Sequence, residues 1–153
     1  MFLITRQMDY GLLLMEALAR DHGHGFVSLR RIAVERRLPY RFLGKIALPR
    51  RRAGLLEAHE GARGGYVLAK PPMEITILEV LEALSEPLSL VRCETSSHSC
   101  QSFCQCGSRS FWHQLQSQLN DTLCRTTLAD LVKSSAPSVK PNVAFRHLIA
   151  RVA

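Results

Sequence analysis

The feature that most constrains the fold is a glycine-rich connector, Glu60-Gly61-Ala62-Arg63-Gly64-Gly65, between two short β-like segments at 55–59 and 66–69. Glycine reaches positive φ and lets two backbones approach closely, as a β-hairpin requires. The hairpin follows two arginine-rich helical segments, 28–36 and one that begins at Pro39, which form a helix-turn-helix pattern. Helices in this order before a glycine-rich hairpin predict a winged helix, mainly α with a small β wing.

The first two helices have recognisable beginnings. Thr5 and Ser28 each precede a segment whose apolar residues recur at helical spacing. A hydroxyl at such a position caps free backbone N–H groups of the first turn. We therefore predict helices over 7–20 and 28–36, the first with an apolar stripe that includes Leu14.

The third helix begins at Pro39, because proline suits the start of a helix. A second proline, Pro49, removes a backbone hydrogen bond and clashes with the preceding turn. We therefore expect the helix to end or kink near Leu48, with Leu48 packing inward in place of Arg50. The other residues predicted for its inner side are Phe42, Leu43 and Ile46.

Two more helices are predicted after the hairpin, at 75–84 and 110–125, separated by an aperiodic loop rich in serine and cysteine. The apolar face of the first consists of Ile75, Leu78, Leu81 and Leu84. The second carries a narrow stripe of Phe111, Leu115, Leu119 and Leu123. Such a stripe packs either on a partner helix or on its own domain. The predicted organisation is a winged-helix DNA-binding domain over 1–84, a cysteine-rich loop over 85–108, a region over 109–133 that contains the dimerisation helix, and a tail over 134–153.

Positive charge is concentrated in the helix-turn-helix segment. Between Ser28 and Arg52 there are nine Lys or Arg residues against one acid, Glu35, in a chain of net charge +7. This distribution is typical of a phosphate-binding surface, although a solvated basic face would look the same. The chain has no apolar run long enough for a bilayer span and no signal-peptide pattern at its N-terminus, which predicts a cytoplasmic protein without membrane attachment.

The five cysteines indicate a metal or redox site rather than a disulfide framework, because four of them lie within fourteen residues. Their spacing is Cys93-x6-Cys100-x3-Cys104-x-Cys106, with Cys124 apart in the long helix. Thiolates are soft ligands for iron–sulfur clusters and zinc. Structural zinc prefers two short C-x2-C knuckles, which this loop lacks, so a cluster is favoured over a zinc site or a thiol switch.

Over 1–133 the chain resembles the IscR/NsrR-type winged-helix regulators of the Rrf2 superfamily. No single segment is specific, but their order and spacing together are. The segments that carry the resemblance are Met8-Asp9-Tyr10-Gly11-Leu12, Ile32-Ala33-Val34-Glu35-Arg36, Ala53-Gly54-Leu55, Gly64-Gly65-Tyr66-Val67-Leu68, Glu86-Pro87-Leu88-Ser89-Leu90-Val91 and Thr127-Leu128-Ala129-Asp130-Leu131-Val132.

The resemblance implies a homodimer joined by the long helix, with a 2Fe-2S or 4Fe-4S cluster on three loop cysteines. Counting back from Trp112 places these ligands at Cys93, Cys100 and Cys106, with a spacing between the first two that is longer than the family's. Cys104 is then an extra thiol that could replace one of them. Cys124 is expected to pack as a small buried apolar residue.

The fourth ligand distinguishes subfamilies. The histidine that IscR-like members place three residues after the last cysteine is replaced here by Arg109, which cannot ligate. NsrR-like sensors of nitric oxide use an aspartate in the first helix of the partner subunit, and Asp9 occupies that position. Asp9 could instead be a helix-start charge, in which case His98 or Cys104 becomes the candidate.

These observations predict a DNA-binding transcription regulator, a repressor, whose affinity for a double-stranded operator depends on a cluster that senses nitric oxide, redox state or iron–sulfur supply. The alternatives are a zinc- or thiol-based regulator of the same fold and a small iron–sulfur assembly factor. No nucleophile–base pair or phosphate loop is evident, so an enzyme is not expected. Glu60 stands where the family has a wing arginine, and Arg63 is expected to substitute for it. The predicted DNA-contacting residues are Ser28, Arg30, Arg31, Tyr40, Arg41, Lys45, Arg51 and Arg63, of which Tyr40, Arg41 and Lys45 would read base edges.

Overall fold

The computed structural model describes residues 5–61, 63–83, 88–91 and 106–134. The elements in this part of the chain are, in order, α1 (Arg6–Arg20), α2 (Leu29–Glu35), α3 (Tyr40–Arg52), β1 (Leu56–His59), β2 (Gly65–Leu68), a 3-10 turn (Pro72–Glu74), α4 (Ile77–Glu82), α5 (Arg109–Arg125) and α6 (Leu128–Ser134). The architecture is the predicted one, mostly helical with one antiparallel hairpin.

The helix beginnings follow from local side-chain chemistry. The Thr5 hydroxyl accepts a hydrogen bond from the Met8 backbone N–H at 3.3 Å, and the Ser28 hydroxyl accepts one from the Arg31 N–H at 3.2 Å. Each satisfies a donor that the first helical turn leaves free. The predicted caps at Thr5 and Ser28 are confirmed, and Pro39 lies at the N-cap of α3, one position before the first turn.

The core forms around α1, which contacts α3, α4 and α6. Burying these apolar side chains supplies the main favourable term in folding. Fully buried apolar side chains come from five helices, α1, α2, α3, α4 and α6, and from the segment before α4; they include Leu14, Met15, Ile32, Leu43, Ile75, Val80 and Leu128.

The hairpin packs against the segment that precedes α2. Val27 forms an isolated antiparallel bridge with Tyr66, through N–H···O bonds of 3.0 and 2.9 Å. A Cβ on Gly65 would lie 2.4 Å from the carbonyl oxygen of Val27, so only glycine permits this approach. The glycine-rich connector therefore allows a third stretch of backbone to join the wing.

The predicted end of α3 near Leu48 is wrong. The helix continues through Pro49 to Arg52, and its last turn is closed by the Ala53 N–H, which donates to the Pro49 carbonyl at 2.9 Å. Proline removes one hydrogen bond here without ending the helix. Leu48 is 43% exposed, so it does not replace Arg50 in the core.

Arg50 itself packs in the core, where Leu48 was predicted to pack in its place. It lies one helical turn beyond Ile46, and this phase directs its side chain inward, where it is fully buried. Its Nη1 donates to the Ile46 carbonyl at 2.9 Å. Phe42, predicted on the inner side, is 49% exposed because its phase lies off the buried face, whereas Leu43 and Ile46 are buried as predicted.

The helices after the hairpin differ in detail from the prediction. In α4 the buried side chains are Ile77, Val80 and Leu81, while Leu78 is half-buried and Leu84 lies outside the described residues. Helix α6 was not predicted.

Helices α4 and α6 begin with matching caps, and a backbone hydrogen bond links their starts. Thr76 and Glu79 form a capping box, and Thr127 pairs with Asp130 in the same way, with an Oγ1–Oδ2 distance of 2.7 Å. The Ile77 N–H donates to the Thr126 carbonyl at 2.9 Å, so the start of α4 is tied to the segment before α6. The chain therefore returns from the long helix α5 to the core.

Candidate DNA-binding surface and metal centre

The outer face of α3 lies opposite its buried face. Arg41, Lys45, Leu48 and Arg52 are exposed and follow one another at helical spacings of four, three and four residues. The buried side of the same helix consists of Leu43, Ile46, Ala47 and Arg50. We call Arg41, Gly44, Lys45, Leu48 and Arg52 the outer face of α3; it contains two of the three predicted base-edge readers.

The tertiary structure engages some of the nine cations between Ser28 and Arg52 in the interior and leaves others exposed. Arg36 forms a 2.6 Å salt bridge with Glu16, a carboxylate of α1 that is 4% exposed and also pairs with Arg20. Arg50 is buried. Neither arginine is available to present its charge to a ligand, because Arg36 is paired with Glu16 and Arg50 is buried in the core. The pairing of Glu16 was not foreseen from the sequence.

Arg31 is partly engaged at the surface. Its Nε donates to Glu35 at 2.7 Å, and its Nη2 lies 3.3 Å from Asp21. The cations for which the described part of the chain offers no salt bridge are Arg30, Arg37, Arg41, Lys45, Arg51 and Arg52, all of them exposed. The basic surface is therefore smaller than the sequence count, but it is concentrated on α3 and the turn before it.

The turn between α2 and α3 has helix-turn-helix geometry. Arg37 adopts a left-handed φ of +53°, and the Leu38 N–H donates to the Ala33 carbonyl at 2.9 Å. This pattern ends α2 and buries Leu38. Tyr40, at the first position of α3, is 55% exposed.

The wing ends in a tight turn. Gly61 has a φ of +121° and accepts a hydrogen bond from the Gly64 N–H at 3.0 Å. Glu60 and Arg63 are both exposed beside this turn. Arg63 is thus available for the predicted contact with DNA.

The candidate metal ligands are only partly placed. Cys93, His98, Cys100 and Cys104 lie outside the described residues. Asp9 is exposed in the first turn of α1, where its backbone N–H donates to the Thr5 carbonyl at 3.1 Å.

Cys106 is a half-buried thiol just before α5. Its Sγ lies 3.3 Å from the Ser108 hydroxyl. Hydrogen bonding by the side chain and backbone of Ser108, with a smaller contribution from Arg109, holds the pKa of Cys106 below the ordinary thiol value. A lowered pKa favours the thiolate, which is the form that binds metals and reacts with electrophiles.

Helix α5 has one buried side chain, and it is polar. Gln116 is 8% exposed; its Nε2 donates to the Leu88 carbonyl at 2.8 Å, and its Oε1 accepts the Leu90 N–H at 2.8 Å. The amide thus holds the segment that leads into the cysteine-rich stretch against the helix that follows it. A third bond, 3.0 Å from Nε2 to the Asn120 side chain, completes its donors. The sequence offered no periodic signal for this residue.

The first half of the apolar stripe of α5 is exposed on the single chain, whereas Leu119 and Leu123 are half-buried and Leu123 packs against the core. Phe111 is 58% exposed and Leu115 37% exposed. Cys124 is exposed rather than buried, so its predicted packing is wrong in the single chain: it lies in α5, whose only buried side chain is Gln116. No helix in the described part of the chain is long and apolar enough to span a bilayer.

Comparisons with known proteins agree with this geometry. The family model for Rrf2, described as an iron-dependent transcriptional regulator, matches residues 4–134. The chain is 34% identical to the transcriptional regulator CymR of Bacillus subtilis over 128 residues, 84% of this chain and 88% of CymR. It is 32% identical to the regulator NsrR of Shouchella clausii, over 84% of this chain and 87% of NsrR.

Solved structures give the same assignment. The structure of CymR, the global cysteine regulator of B. subtilis, superposes with a TM-score of 0.76 at 32% identity, covering 89% of this chain and all of CymR. IscR of T. potens superposes with a TM-score of 0.69 at 28% identity, covering 88% of each chain. The protein therefore belongs to the Rrf2 family, as a winged-helix transcription regulator and not an enzyme.

Proposed function

We propose that this chain is a cytoplasmic, homodimeric repressor whose affinity for its DNA operator is set by an iron–sulfur cluster that senses nitric oxide, redox state or cluster supply. The observation that carries the proposal is Cys106, a half-buried thiol with a lowered pKa at the end of the cysteine-rich stretch. A thiol whose lowered pKa favours the thiolate, and which follows three further cysteines in the sequence, fits the soft ligand set of a cluster.

DNA recognition in this proposal uses the outer face of α3 in the major groove. Tyr40, Arg41 and Lys45 would reach base edges near the start of the helix, and Arg63 would enter the minor groove from the wing. The DNA phosphates would be contacted by Ser28, Arg30, Arg31 and Arg51. The exposure of each of these side chains supports the assignment.

Cys93, Cys100 and Cys106 would hold the cluster, together with Asp9 of the partner subunit. When bound, the cluster supplies redox-active iron that is reactive toward diatomic gases. Asp9 is exposed on α1, as a ligand to a group shared between subunits must be. A carboxylate is a harder ligand than a thiolate and would leave one iron more labile.

Helix α5 is the proposed dimer contact. Phe111 and Leu115 expose large apolar side chains four residues apart, a spacing suited to packing on a partner helix. Because Gln116 joins the same helix to the segment before the cysteines, a change at the ligands would alter how α5 and the two DNA-binding domains are posed. That change in pose would alter affinity for a two-fold symmetric operator.

A second candidate function is regulation without a cluster, by zinc or by a reactive thiol. The 34% identity to CymR, the global cysteine regulator of B. subtilis, favours it. The same lowered pKa that suits Cys106 as a ligand also suits it as an oxidisable thiol.

Anaerobic purification separates the two functions. The cluster proposal expects a coloured protein with stoichiometric iron and sulfide, whose visible spectrum changes with nitric oxide. Cys93→Ala, Cys100→Ala and Cys106→Ala should each abolish stable loading, Cys104→Ala should reduce it, and Cys124→Ala should serve as the unaffected control. Colourless protein without iron, or full iron content in all three ligand variants, would overturn the proposal.

A further inference from the structure

We infer that Gly44 and Leu48, on the outer face of α3, form an apolar contact for the C5-methyl group of a thymine in the major groove. The inference rests on the proposed docking of α3. It adds a specificity element made of two uncharged residues to a surface otherwise described by its cations.

Gly44 has no reason within the described protein to be glycine. It lies in the middle of α3 with helical backbone geometry, and a Cβ built there meets nothing within 4 Å. Glycine is one of the poorest residues for a helix interior, so alanine would fit and would favour the helix. No neighbouring group in the described protein requires a glycine here, although glycine weakens the helix. We explain Gly44 by a bound molecule that must approach the helix backbone closely at this position.

Leu48 lies one helical turn beyond Gly44 and is 43% exposed. It sits among cations, since Lys45 and Arg52 flank it along the same face, and the described part of the chain does not cover it. Cations bring the DNA close to this face, so docking would remove the Leu48 side chain from water. That burial contributes to affinity in proportion to the apolar area covered.

Thymine offers the matching group. In the major groove each base pair presents donors and acceptors, and only thymine adds an apolar methyl group. An aliphatic side chain beside a gap at Gly44 suits a methyl group that projects from the groove floor. A polar base edge at the same place would lose its hydrogen bonds to water without replacement.

Gly44→Ala tests the close approach through two effects of opposite sign. The variant should melt roughly 3 °C higher, because alanine favours the helix. It should bind the operator about tenfold more weakly, within the range that one spoiled base-pair contact costs. The probe is the tightest duplex that the wild-type protein selects from a random-sequence library. A variant that binds this duplex as well as wild type, or that melts lower, would overturn the role of Gly44.

Leu48→Ala tests the methyl contact. Each thymine of the selected duplex is replaced in turn by uracil, which differs only by the missing methyl group. For wild type, one or two positions should each lose about fourfold in affinity, the worth of one buried methyl. Leu48→Ala should bind the thymine and uracil duplexes equally at those positions. Met73→Ala, which truncates another exposed apolar side chain outside α3, should keep the wild-type response.

Lys45→Ala distinguishes failure of this inference from failure of the proposed docking. If Lys45→Ala weakens binding while the uracil scan is flat for wild type, α3 docks but does not read a methyl group, and the inference is wrong. If Lys45→Ala, Gly44→Ala and Leu48→Ala all bind as wild type, the docking of α3 itself is wrong and the inference falls with it.

Discussion

The guanidinium of Arg50 occupies the space that a side chain on Gly11 would need. A Cβ on Gly11 would lie 1.8 Å from Nη2 of Arg50, so α1 and α3 approach each other through an arginine packed on bare backbone. Arg50 is fully buried, and burial lowers its pKa to about 10. Its Nε and Nη2 have no hydrogen-bond partner among the described residues. The contact is therefore tight but electrostatically costly.

Gly11→Ala should lower the free energy of unfolding by about 2 kcal/mol, the usual cost of overpacking a core. Arg50→Met should raise it by about 1–3 kcal/mol, because an unbranched apolar side chain replaces a buried charge with unpaired donors. Methionine also adapts to the methyl of alanine, so the cost of Gly11→Ala should shrink in the Arg50→Met background. Urea denaturation of the four proteins measures this coupling. Equal costs in the two backgrounds would contradict the contact.

Gln116→Met should release the segment at 88–91 from α5. The change preserves side-chain length but leaves the Leu88 carbonyl and the Leu90 N–H without their partner, at a cost of about 1–3 kcal/mol. Hydrogen exchange at the Leu90 amide should become faster, and the free energy of unfolding should fall. Gln114→Met, at an exposed position of the same helix, is the control and should change neither. Unchanged exchange at Leu90 in the Gln116 variant would argue against the anchor.

Cys106 should react as a thiolate below the pH at which an ordinary thiol does. In cluster-free protein whose other four cysteines are serine, the alkylation rate against pH should have its midpoint below the thiol value of 9.0. Ser108→Ala removes the largest cause of the shift, so its midpoint should move up. Because the folded pKa is the lower one, any stability from this thiolate is present at alkaline pH and lost as pH falls through it. A midpoint unchanged by Ser108→Ala would count against the assigned cause.

Operator binding should fall steeply with salt, since cations on DNA release counterions. Arg41→Ala and Lys45→Ala should each weaken binding by about 1–3 kcal/mol. Arg63→Ala, if it contacts phosphate as well as the minor groove, should also reduce the salt slope by about one. Lys133→Ala, an exposed cation of α6, is the matched control. Gel shifts with salt-independent affinity, or with no loss in any of the three variants, would show that DNA is bound elsewhere.

Asp9→Ala tests the ligand from the partner subunit. The variant should remain a folded dimer that retains some cluster, with a changed visible spectrum, faster loss of cluster in air and a shifted response to nitric oxide. These changes are expected because one iron loses its carboxylate ligand. A spectrum and decay identical to wild type would make Asp9 a helix-start charge, with His98 or Cys104 as the next ligand to examine.

Much of the fold follows from local chemistry that the sequence carries. Some signals act over only three or four residues: the caps at Thr5 and Ser28, the proline that starts α3 and the glycines of the wing. Their effects can therefore be recognised from the sequence without knowledge of the tertiary contacts. The helical spacing of the apolar residues in α1 can be recognised from the sequence for the same reason. The winged helix, and with it the class of function, could therefore be predicted.

The inward or outward position of individual side chains depended on packing between elements distant in sequence. Arg50 is buried because helical phase directs it at Gly11, a residue 39 positions away, and Leu48 is exposed because α3 continues through Pro49 with Leu48 on its outer face. Gln116 is buried because a segment 26 residues earlier returns to it. Polarity predicts the average burial of a residue type, whereas the partner that meets a side chain is chosen by tertiary structure.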